Sequence, residues 1–327
     1  MNSEYVVQLN DAAKAALDPS QVGLKVARLA ELARQGIRVP AGFAVTAAAY
    51  REFVRDARLG PAIAQAIRRF RAGRELAVAA AEIRSAFRDE SVPASVADEI
   101  LAAYDELGGD GTDVAVRCSP VTVADGLQDE VFLHLTTAAD VLAACRRCFA
   151  SLYNPVAVGN REAEGLDQLK AVMPVAVQRM VPADLGGTGT ARGESAFVRV
   201  RATWGLGDAP TAGADQYSVH PGDRPLIVRH CGNKPAKKVY AYPRGTRTVP
   251  TTPQEQAALV LSDNDLQTLA RWSVLADKHF RRPTTLDWAK DGRTGELFVV
   301  EVRPGPIPTT TIRYRDLSTR EIAKEYR

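Results

Sequence analysis

Hydrophobic and polar positions follow a helical period through the first half of the chain. Apolar residues recur every three to four positions in "GLKVARLAELARQG", at Ala62–Arg71, Glu75–Asp89 and Ser91–Leu107, and in "AADVLAACRRCFASLY". Between them stand short apolar runs that are typical of buried strands: "GFAVT", "DVAVRCS", "DEVFLHL" and "MPVAVQRMV". Thr46, which follows the first of these runs, is placed to cap the helix after it. This part of the chain is therefore predicted to be helix-rich, with a few strands.

The pattern changes after the Gly-rich stretch "PADLGGTGTARGESA". Alternation then predicts strands in "FVRVRATWGLG", "QYSVHP", "PLIVRH" and "KKVYAYP", followed by one helix at about Asp263–Phe280. Without regular βαβ alternation, this order predicts an α+β protein whose two lobes meet near residue 185. We predict a helix-rich lobe over 1–185, a strand-rich lobe over 186–315 and a terminal helix or tail over 316–327.

Composition restricts the classes of protein that this chain can be. Of 327 residues, 46% are hydrophobic and 25% charged, as in an ordinary globular protein, and the net charge of +3 is too small to favour nucleic acid. No apolar run approaches a membrane span, and the first residues lack the layout of a signal peptide. With only four cysteines, a cytoplasmic location is expected, with no nucleic-acid or membrane partner.

Cys145 and Cys148 form a C-x-x-C pair within a predicted helix. That spacing occurs in redox pairs and in half of a zinc site. Here the pair lies in mid-helix with no second Cys/His pair near it in sequence. The pattern favours a helix face that packs on the core.

The last strands form a predicted hairpin with one acid on each arm. "KDGRTG" is a turn cluster, so strands of about Thr284–Ala289 and Leu297–Arg303 are expected to pair. If the turn centres near Arg293–Thr294, Asp287 and Glu301 lie opposite each other. Like charges in such positions repel, unless the face is exposed or a cation lies between them.

Two carboxylates on neighbouring strands are hard oxygen ligands suited to Mg²⁺ when phosphate oxygens complete its coordination. Arg303 shares the face of Glu301 because the two are two residues apart, and it could bind phosphate bidentately. The alternative is an exposed polar face with an ordinary Arg–Glu pair, which contributes about 1 kcal/mol at most.

Two basic residues in the first half are candidate phosphate ligands. Lys25 follows Gly23, where a turn enters a helix, and a helix N-terminus favours anions. Arg117 ends a predicted strand and precedes a polar loop that contains Gly126, a pattern that suits a phosphate cradle. A Lys that only covers apolar surface and a surface Arg are the simpler alternatives.

Together these stretches resemble the ATP-binding N-terminal domain of the pyruvate phosphate dikinase and phosphoenolpyruvate synthase family, which includes rifampicin phosphotransferase. The resemblance rests on "VGLKVARLAELARQGIRVPAGFAVTAAAYREF", "VAVRCS", "RRCFASLYNPVAV", "VAVQRMVPAD", "ATWGLGD" and "HFRRPTTLDWA…LFVVEVRP". It implies an ATP-grasp-like fold in which two lobes enclose a nucleotide cleft, with ATP and Mg²⁺ as cofactors.

The resemblance also implies roles for individual residues. Lys25 and Arg117 would contact phosphates, Asp287 and Glu301 would bind the metal, and Arg303 would steady the transferring phosphates. The segment Gln178–Val181 would line the adenine pocket, and we take three of its residues as cofactor-binding, namely Gln178, Met180 and Val181.

Several positions depart from the family pattern. Asp287 and Glu301 stand where Glu and Gln are usual, and Cys118 replaces a Ser. The loop from Pro120 to Glu130 is short, and an acid that often precedes the Trp-Gly-Leu-Gly motif is replaced near Arg201. The resemblance therefore implies a remodelled nucleotide cleft.

In large members of this family, phosphate passes from ATP to a mobile histidine domain and then to an acceptor. The four histidines of this chain lie outside the carrier motif, so we expect a phosphohistidine domain on a separate chain, or direct transfer to a small-molecule acceptor. A catalytically weakened ATP-binding regulatory or scaffold domain and an ATP-grasp ligase are the alternatives.

Overall fold

A computed structural model of the chain describes residues 5–9, 16–122, 130–191, 197–206, 213–222, 225–241 and 245–305. The chain divides into two compact units. Unit 1 comprises Met1–Gln35, Pro40–Met180 and Tyr242–Gly245. Unit 2 comprises Gly36–Val39, Val181–Ala241 and Thr246–Arg327. The predicted terminal helix over 316–327 lies outside the described residues.

Unit 1 contains a five-stranded antiparallel sheet and the helices that pack on it. In spatial order the strands are β1 (Val6–Gln8), β2 (Gly42–Val45), β5 (Val175–Arg179), β3 (Val114–Cys118) and β4 (Val131–Leu135). The helices are α1 (Pro19–Arg34), α2 (Ala47–Asp56), α3 (Leu59–Arg71), α4 (Leu76–Asp89), α5 (Ala94–Leu107), α6 (Ala138–Ser151) and α7 (Pro155–Ala163).

N-terminal capping side chains explain why several helices of unit 1 start where they do. Thr46 caps α2 by accepting a hydrogen bond from the Ala49 N–H at 3.3 Å, so the predicted cap is confirmed. Asn154 caps α7 in the same way, accepting from the Ala157 N–H at 2.8 Å. These caps satisfy backbone donors that the helix itself leaves without a partner.

The core of unit 1 is aromatic at its centre. Phe53 and Phe87 stack with ring centroids 5.6 Å apart, and Phe149 packs on Phe53 at 5.6 Å. Cys145 and Cys148 of α6 are fully buried in this core, which confirms their predicted packing role. Burial raises the pKa of the Cys145 thiol to about 12, so it stays protonated and behaves as a small apolar group.

Unit 2 contains a six-stranded antiparallel sheet. In spatial order its strands are β13 (Leu297–Pro304), β12 (Thr284–Asp291), β6 (Ala183–Ala191), β7 (Val198–Trp204), β8 (Asp215–His220) and β9 (Leu226–His230). Two further strands, β10 (Ala236–Tyr240) and β11 (Thr246–Pro250), pair as an antiparallel ribbon. The helices of unit 2 are α8 (Pro253–Ala257) and α9 (Asp263–Phe280).

One face of the six-stranded sheet is apolar and packs on α9. Leu266, Leu269 and Ala270 of α9 form a buried cluster with Val200 and Trp288 of the sheet. The bounds of α9 are those that the sequence predicts. Because α9 covers this face, the alternating residues of the strands point to the opposite face, which is called the polar face below.

The Gly-rich stretch forms β6, a central strand that the sequence pattern did not predict. A Cβ at Gly187 would lie 2.0 Å from the carbonyl oxygen of Arg201 on β7, and one at Gly189 would lie 2.8 Å from Ser273 Oγ on α9. Glycine at these positions therefore lets backbone and helix approach closely. Hydrophobic alternation misses such a strand because its glycines, which lack side chains, interrupt the pattern.

The α+β class predicted from the sequence is confirmed. Among the helices that the structure describes, none combines the length and hydropathy needed to cross a membrane.

Candidate functional site

The hairpin of β12 and β13 places its two acids face to face. Asp287 is the direct cross-strand partner of Glu301, in the register that the sequence predicts. A β-bulge interrupts the pairing next to these acids: Trp288 pairs with Val299, and Val300 is the extra residue on β13.

The bulge decides on which face Glu301 lies. Continued without a bulge, the pairing of Trp288 with Val299 would set Glu301 opposite Leu286, on the buried face of the sheet. With the bulge, Glu301 lies opposite Asp287 on the polar face, while Val302 pairs with Leu286 in the core. A bulge that re-aims a side chain in this way is common beside active sites.

Arg303 lies diagonally across from Asp287. Its Nη2 donates to Asp287 Oδ1 at 2.5 Å, and the side chains are 56% and 18% exposed respectively. The sequence predicts a phosphate partner for Arg303, so the ion pair with Asp287 is a contact that sequence reasoning missed. The ion pair holds the guanidinium beside the two acids.

The donor set fits Mg²⁺. Two carboxylates in directly paired strand positions have Cα atoms roughly 4.5–5.5 Å apart and can share a hard cation. Among the described residues, no group of three or more His, Cys, Asp or Glu side chains could hold a metal ion. Further ligands at this site would therefore be oxygens of a bound molecule or of water, as Mg²⁺ prefers.

The register continues from these acids across the polar face. Asp287 pairs with Thr188 on β6, Thr188 with Arg201 on β7, and Arg201 with Gln216 on β8. One row of side chains thus runs from Glu301 to Arg201 over four strands. Thr188 was not identified from sequence, although its place in the row follows once β6 is known to be a strand.

In unit 1, a tight turn precedes Lys25 inside α1. Gly23 has a φ of 77°, in the left-handed region, and a Cβ there would lie 1.6 Å from the carbonyl oxygen of Ser119. Only glycine fits this position. Lys25, whose side chain is half-buried, follows this kink by two residues.

Hydrogen bonds hold this turn against the end of β3, next to Arg117. Ser119 Oγ donates to the Val22 carbonyl at 2.9 Å and accepts from the Val26 N–H at 3.3 Å. The Leu24 N–H donates to the Pro120 carbonyl at 2.9 Å. Unit 1 therefore brings the segments of both predicted phosphate residues, Lys25 and Arg117, to one place.

The predicted adenine segment begins on β5. Gln178 is 4% exposed, and within the described residues its Nε2 has no hydrogen-bond partner, so a buried donor is left for a ligand. Met180 is held on two sides: its N–H donates to the Asp113 carbonyl at 2.9 Å, and its sulfur accepts from the His134 N–H at 3.1 Å. His134 has a φ of 59°, a strained value that this contact helps to fix.

The other two predicted cofactor residues are Val181 and Gly126. Val181 belongs to unit 2, where it is 8% exposed and its carbonyl accepts from Tyr240 Oη at 3.4 Å. Gly126 lies outside the described residues, so its predicted role in a phosphate cradle stays a prediction.

Comparison with known families identifies the class of this protein. The profile of the family described as "Pyruvate phosphate dikinase, AMP/ATP-binding domain" matches residues 19–319. The match covers most of the chain, so the chain belongs to this family, as the sequence resemblance predicts.

Curated relatives name the proteins in which such a domain occurs. The chain is 36% identical over 314 residues to the phosphoenolpyruvate synthase of Deinococcus radiodurans, covering 88% of this chain and 40% of that protein. It is 34% identical to that of Pseudomonas aeruginosa, covering 92% and 42%, and 33% identical to that of Escherichia coli, covering 88% and 40%. The chain thus spans about 40% of the length of these relatives.

Among solved structures, the ATP-grasp ligase PsnB complexed with minimal precursor matches 90% of this chain and 55% of its own. The identity is 14% and the TM-score 0.30, values too low for the likeness to support an argument.

Proposed function

We propose that this chain binds Mg-ATP and transfers a phosphoryl group, either to a small-molecule acceptor or to the histidine of a carrier domain on a separate chain. The proposal rests first on one observation: Asp287 and Glu301 lie directly opposite each other on the polar face of the sheet. Membership in an AMP/ATP-binding family supports the same assignment.

In unit 2, Asp287 and Glu301 are proposed to hold Mg²⁺. When bound, the ion supplies charge neutralisation for the nucleotide phosphates. Arg303, held beside the acids by its ion pair with Asp287, is proposed to bind a phosphate oxygen once a cation takes over its partner.

In unit 1, Lys25 and Arg117 are proposed to bind phosphates, and Gln178 and Met180 to bind adenine. Val181, which belongs to unit 2, is proposed as a further cofactor-binding residue. The buried Nε2 of Gln178 is a donor suited to a ring nitrogen of the base. Phosphoryl transfer needs little covalent chemistry from the protein, so these residues act by positioning the phosphates and by stabilising negative charge. Direct transfer of the γ-phosphoryl group to a small acceptor would release ADP. Transfer of the β,γ-pyrophosphoryl group to a histidine would release AMP, and cleavage of the pyrophosphohistidine by water would then release phosphate and leave a phosphohistidine.

Calorimetric titration of Mg-ATP into the full chain tests this proposal. We expect binding to the wild type and at least about tenfold weaker binding to Asp287→Ala, a loss of about 1.4 kcal/mol. Glu296→Ala is the matched control, because Glu296 is an acid of the same hairpin that is 46% exposed and pairs with Arg38 at 3.5 Å. This control is expected to bind as the wild type does.

Two results would contradict the assignment. Equal binding by wild type and Asp287→Ala would show that the acid pair holds no metal needed by the nucleotide. An absence of binding to the wild type would favour the scaffold alternative. Product analysis with candidate acceptors and histidine-domain proteins then separates ADP from AMP.

A further inference from the structure

The polar face of the sheet carries two arginines that the proposed metal site does not use. Arg199 and Arg201 both lie on β7, two residues apart, and both are exposed. Successive residues of a strand alternate, so these two share a face, with Cα atoms roughly 7 Å apart. The register places them on the face of Asp287 and Glu301.

The immediate neighbours of these arginines are uncharged and can form hydrogen bonds. Arg201 lies between Thr188 and Gln216, the cross-strand partners on either side. In the next row, Arg199 lies between Thr190 and Ser218. No carboxylate therefore stands in a directly paired position beside either guanidinium.

One side-chain contact on this face agrees with the strand register. Thr190 Oγ1 lies 3.1 Å from Thr285 Oγ1, the residue beside it on β12. The nearest acid in the row of Arg201 is Asp287, two strands or roughly 10 Å away between Cα atoms. Asp287 already accepts from Arg303 at 2.5 Å.

Within the described residues, neither Arg199 nor Arg201 makes an ion pair. Two like charges at this spacing repel, and an anion between them would remove the repulsion. Guanidinium groups bind phosphate and carboxylate oxygens with paired hydrogen bonds, and neighbouring hydroxyl and amide groups supply further donors.

We propose that Arg199 and Arg201, with Thr188 and Thr190 beside them, form a second anion site that takes a phosphate group. This inference rests on the proposed function, because it extends the acid pair into a longer polar row. The phosphate comes either from the triphosphate of the nucleotide or from a phosphorylated acceptor. In both cases the chemistry is the same, and the two sources can be told apart by experiment.

The test compares the double variant Arg199→Ala/Arg201→Ala with wild type in calorimetric titrations of pyrophosphate and of Mg-ATP. We expect the double variant to lose about tenfold or more in pyrophosphate affinity, since charged hydrogen bonds are removed. Arg271→Ala is the matched control: it removes one exposed arginine of α9, which donates to Thr268 Oγ1 at 3.3 Å. That variant is expected to bind within twofold of wild type.

The arms of the experiment separate the sources of the phosphate. A parallel loss of Mg-ATP affinity assigns the site to the triphosphate. Unchanged Mg-ATP affinity of the double variant assigns it to the acceptor if wild type still binds pyrophosphate when the nucleotide site is saturated by a non-hydrolysable ATP analogue and the double variant does not. Wild-type affinity of the double variant for both probes, or no pyrophosphate binding to wild type, would overturn the proposal. Asp287→Ala, tested alongside, reports separately on the metal assignment.

Discussion

Two carboxylates of unit 2, one on β8 and one on β12, lie in opposite kinds of environment. Asp215 on β8 is fully buried, and four groups of the chain donate hydrogen bonds to its carboxylate. Its Oδ1 accepts from Lys234 Nζ at 2.5 Å and from the Gly232 N–H at 2.8 Å. Its Oδ2 accepts from Tyr217 Oη at 3.1 Å and from the Val260 N–H at 3.0 Å.

Asp287 on β12 is held differently. It faces a second acid, Glu301, and pairs with Arg303, a side chain that is mostly exposed. The proposed function interprets this difference as one between a structural acid and metal-binding acids in one sheet. An acid with a full set of buried donors stabilises the fold, whereas two acids set against each other favour a cation from outside.

The largest expected effect is a loss of stability when Asp215 is replaced. Asp215→Ala should lower the free energy of unfolding by about 3–5 kcal/mol, because the ammonium of Lys234 would stay buried without its counter-charge. Urea unfolding followed by circular dichroism measures the change. The double variant Asp215→Ala/Lys234→Met should recover a large part of the loss, and equal losses in both variants would show that the ion pair is not the cause.

A smaller change in stability, of opposite sign, is expected when Glu301 is replaced. Glu301→Gln should raise the free energy of unfolding of the ligand-free protein by about 0.5–1 kcal/mol, since it removes cross-strand repulsion with Asp287. The same change should weaken Mg-ATP binding, as expected where a site trades stability for function. Unfolding without Mg-ATP measures the stability of the ligand-free protein, and unfolding with Mg-ATP measures binding. A ligand-free variant less stable than wild type would contradict the proposed metal-binding role of Glu301.

The smallest effect concerns an acid of unit 1 that is paired at the surface. Glu162 accepts from Arg71 Nε at 2.8 Å and from Nη2 at 3.0 Å, and this bonding holds the pKa of Glu162 below its ordinary value of 4.5. A lowered pKa contributes stability above the unfolded pKa, and this contribution disappears as the pH falls through the folded pKa. Glu162→Gln should therefore cost about 0.2–0.5 kcal/mol at pH 7, and this cost should shrink as the pH is lowered through the folded pKa of Glu162.

Thermal unfolding of Glu162→Gln and wild type across this pH range checks the prediction. Arg69→Gln is a suitable control, because Arg69 makes a longer pair of 3.5 Å with Glu82 and should show a weaker pH dependence. A difference that persists unchanged at low pH would mean that packing, rather than charge, is responsible.

Elements with strong local signals could be predicted from sequence. α9 begins at a capping box between Ser262 and Asp265 and carries a regular apolar stripe, so its bounds were predictable. The hairpin has a turn cluster and alternating arms, so the pairing of Asp287 with Glu301 was predictable too. β6 was not, because its glycines are selected by the approach of β7 and α9 rather than by strand propensity.

Long-range contacts explain the rest of what the sequence did not reveal. The short segment Gly36–Val39 belongs to unit 2, where the Arg38 carbonyl accepts from the Val299 N–H at 2.9 Å. The position of Ser119 between the turn at Gly23 and the end of β3 is equally non-local. Such contacts depend on residues that are distant in sequence, and no local pattern records them.

The extra residue on β13 has a consequence for how this strand can vary. Before Val300 the odd-numbered positions Leu297 and Val299 enter the core, whereas after it the even-numbered Val302 does. The alternation of core-facing and outward-facing positions therefore shifts by one residue in the middle of the strand. A substitution scan of β13 should show two sensitivity patterns, offset by one residue and joined at Val300.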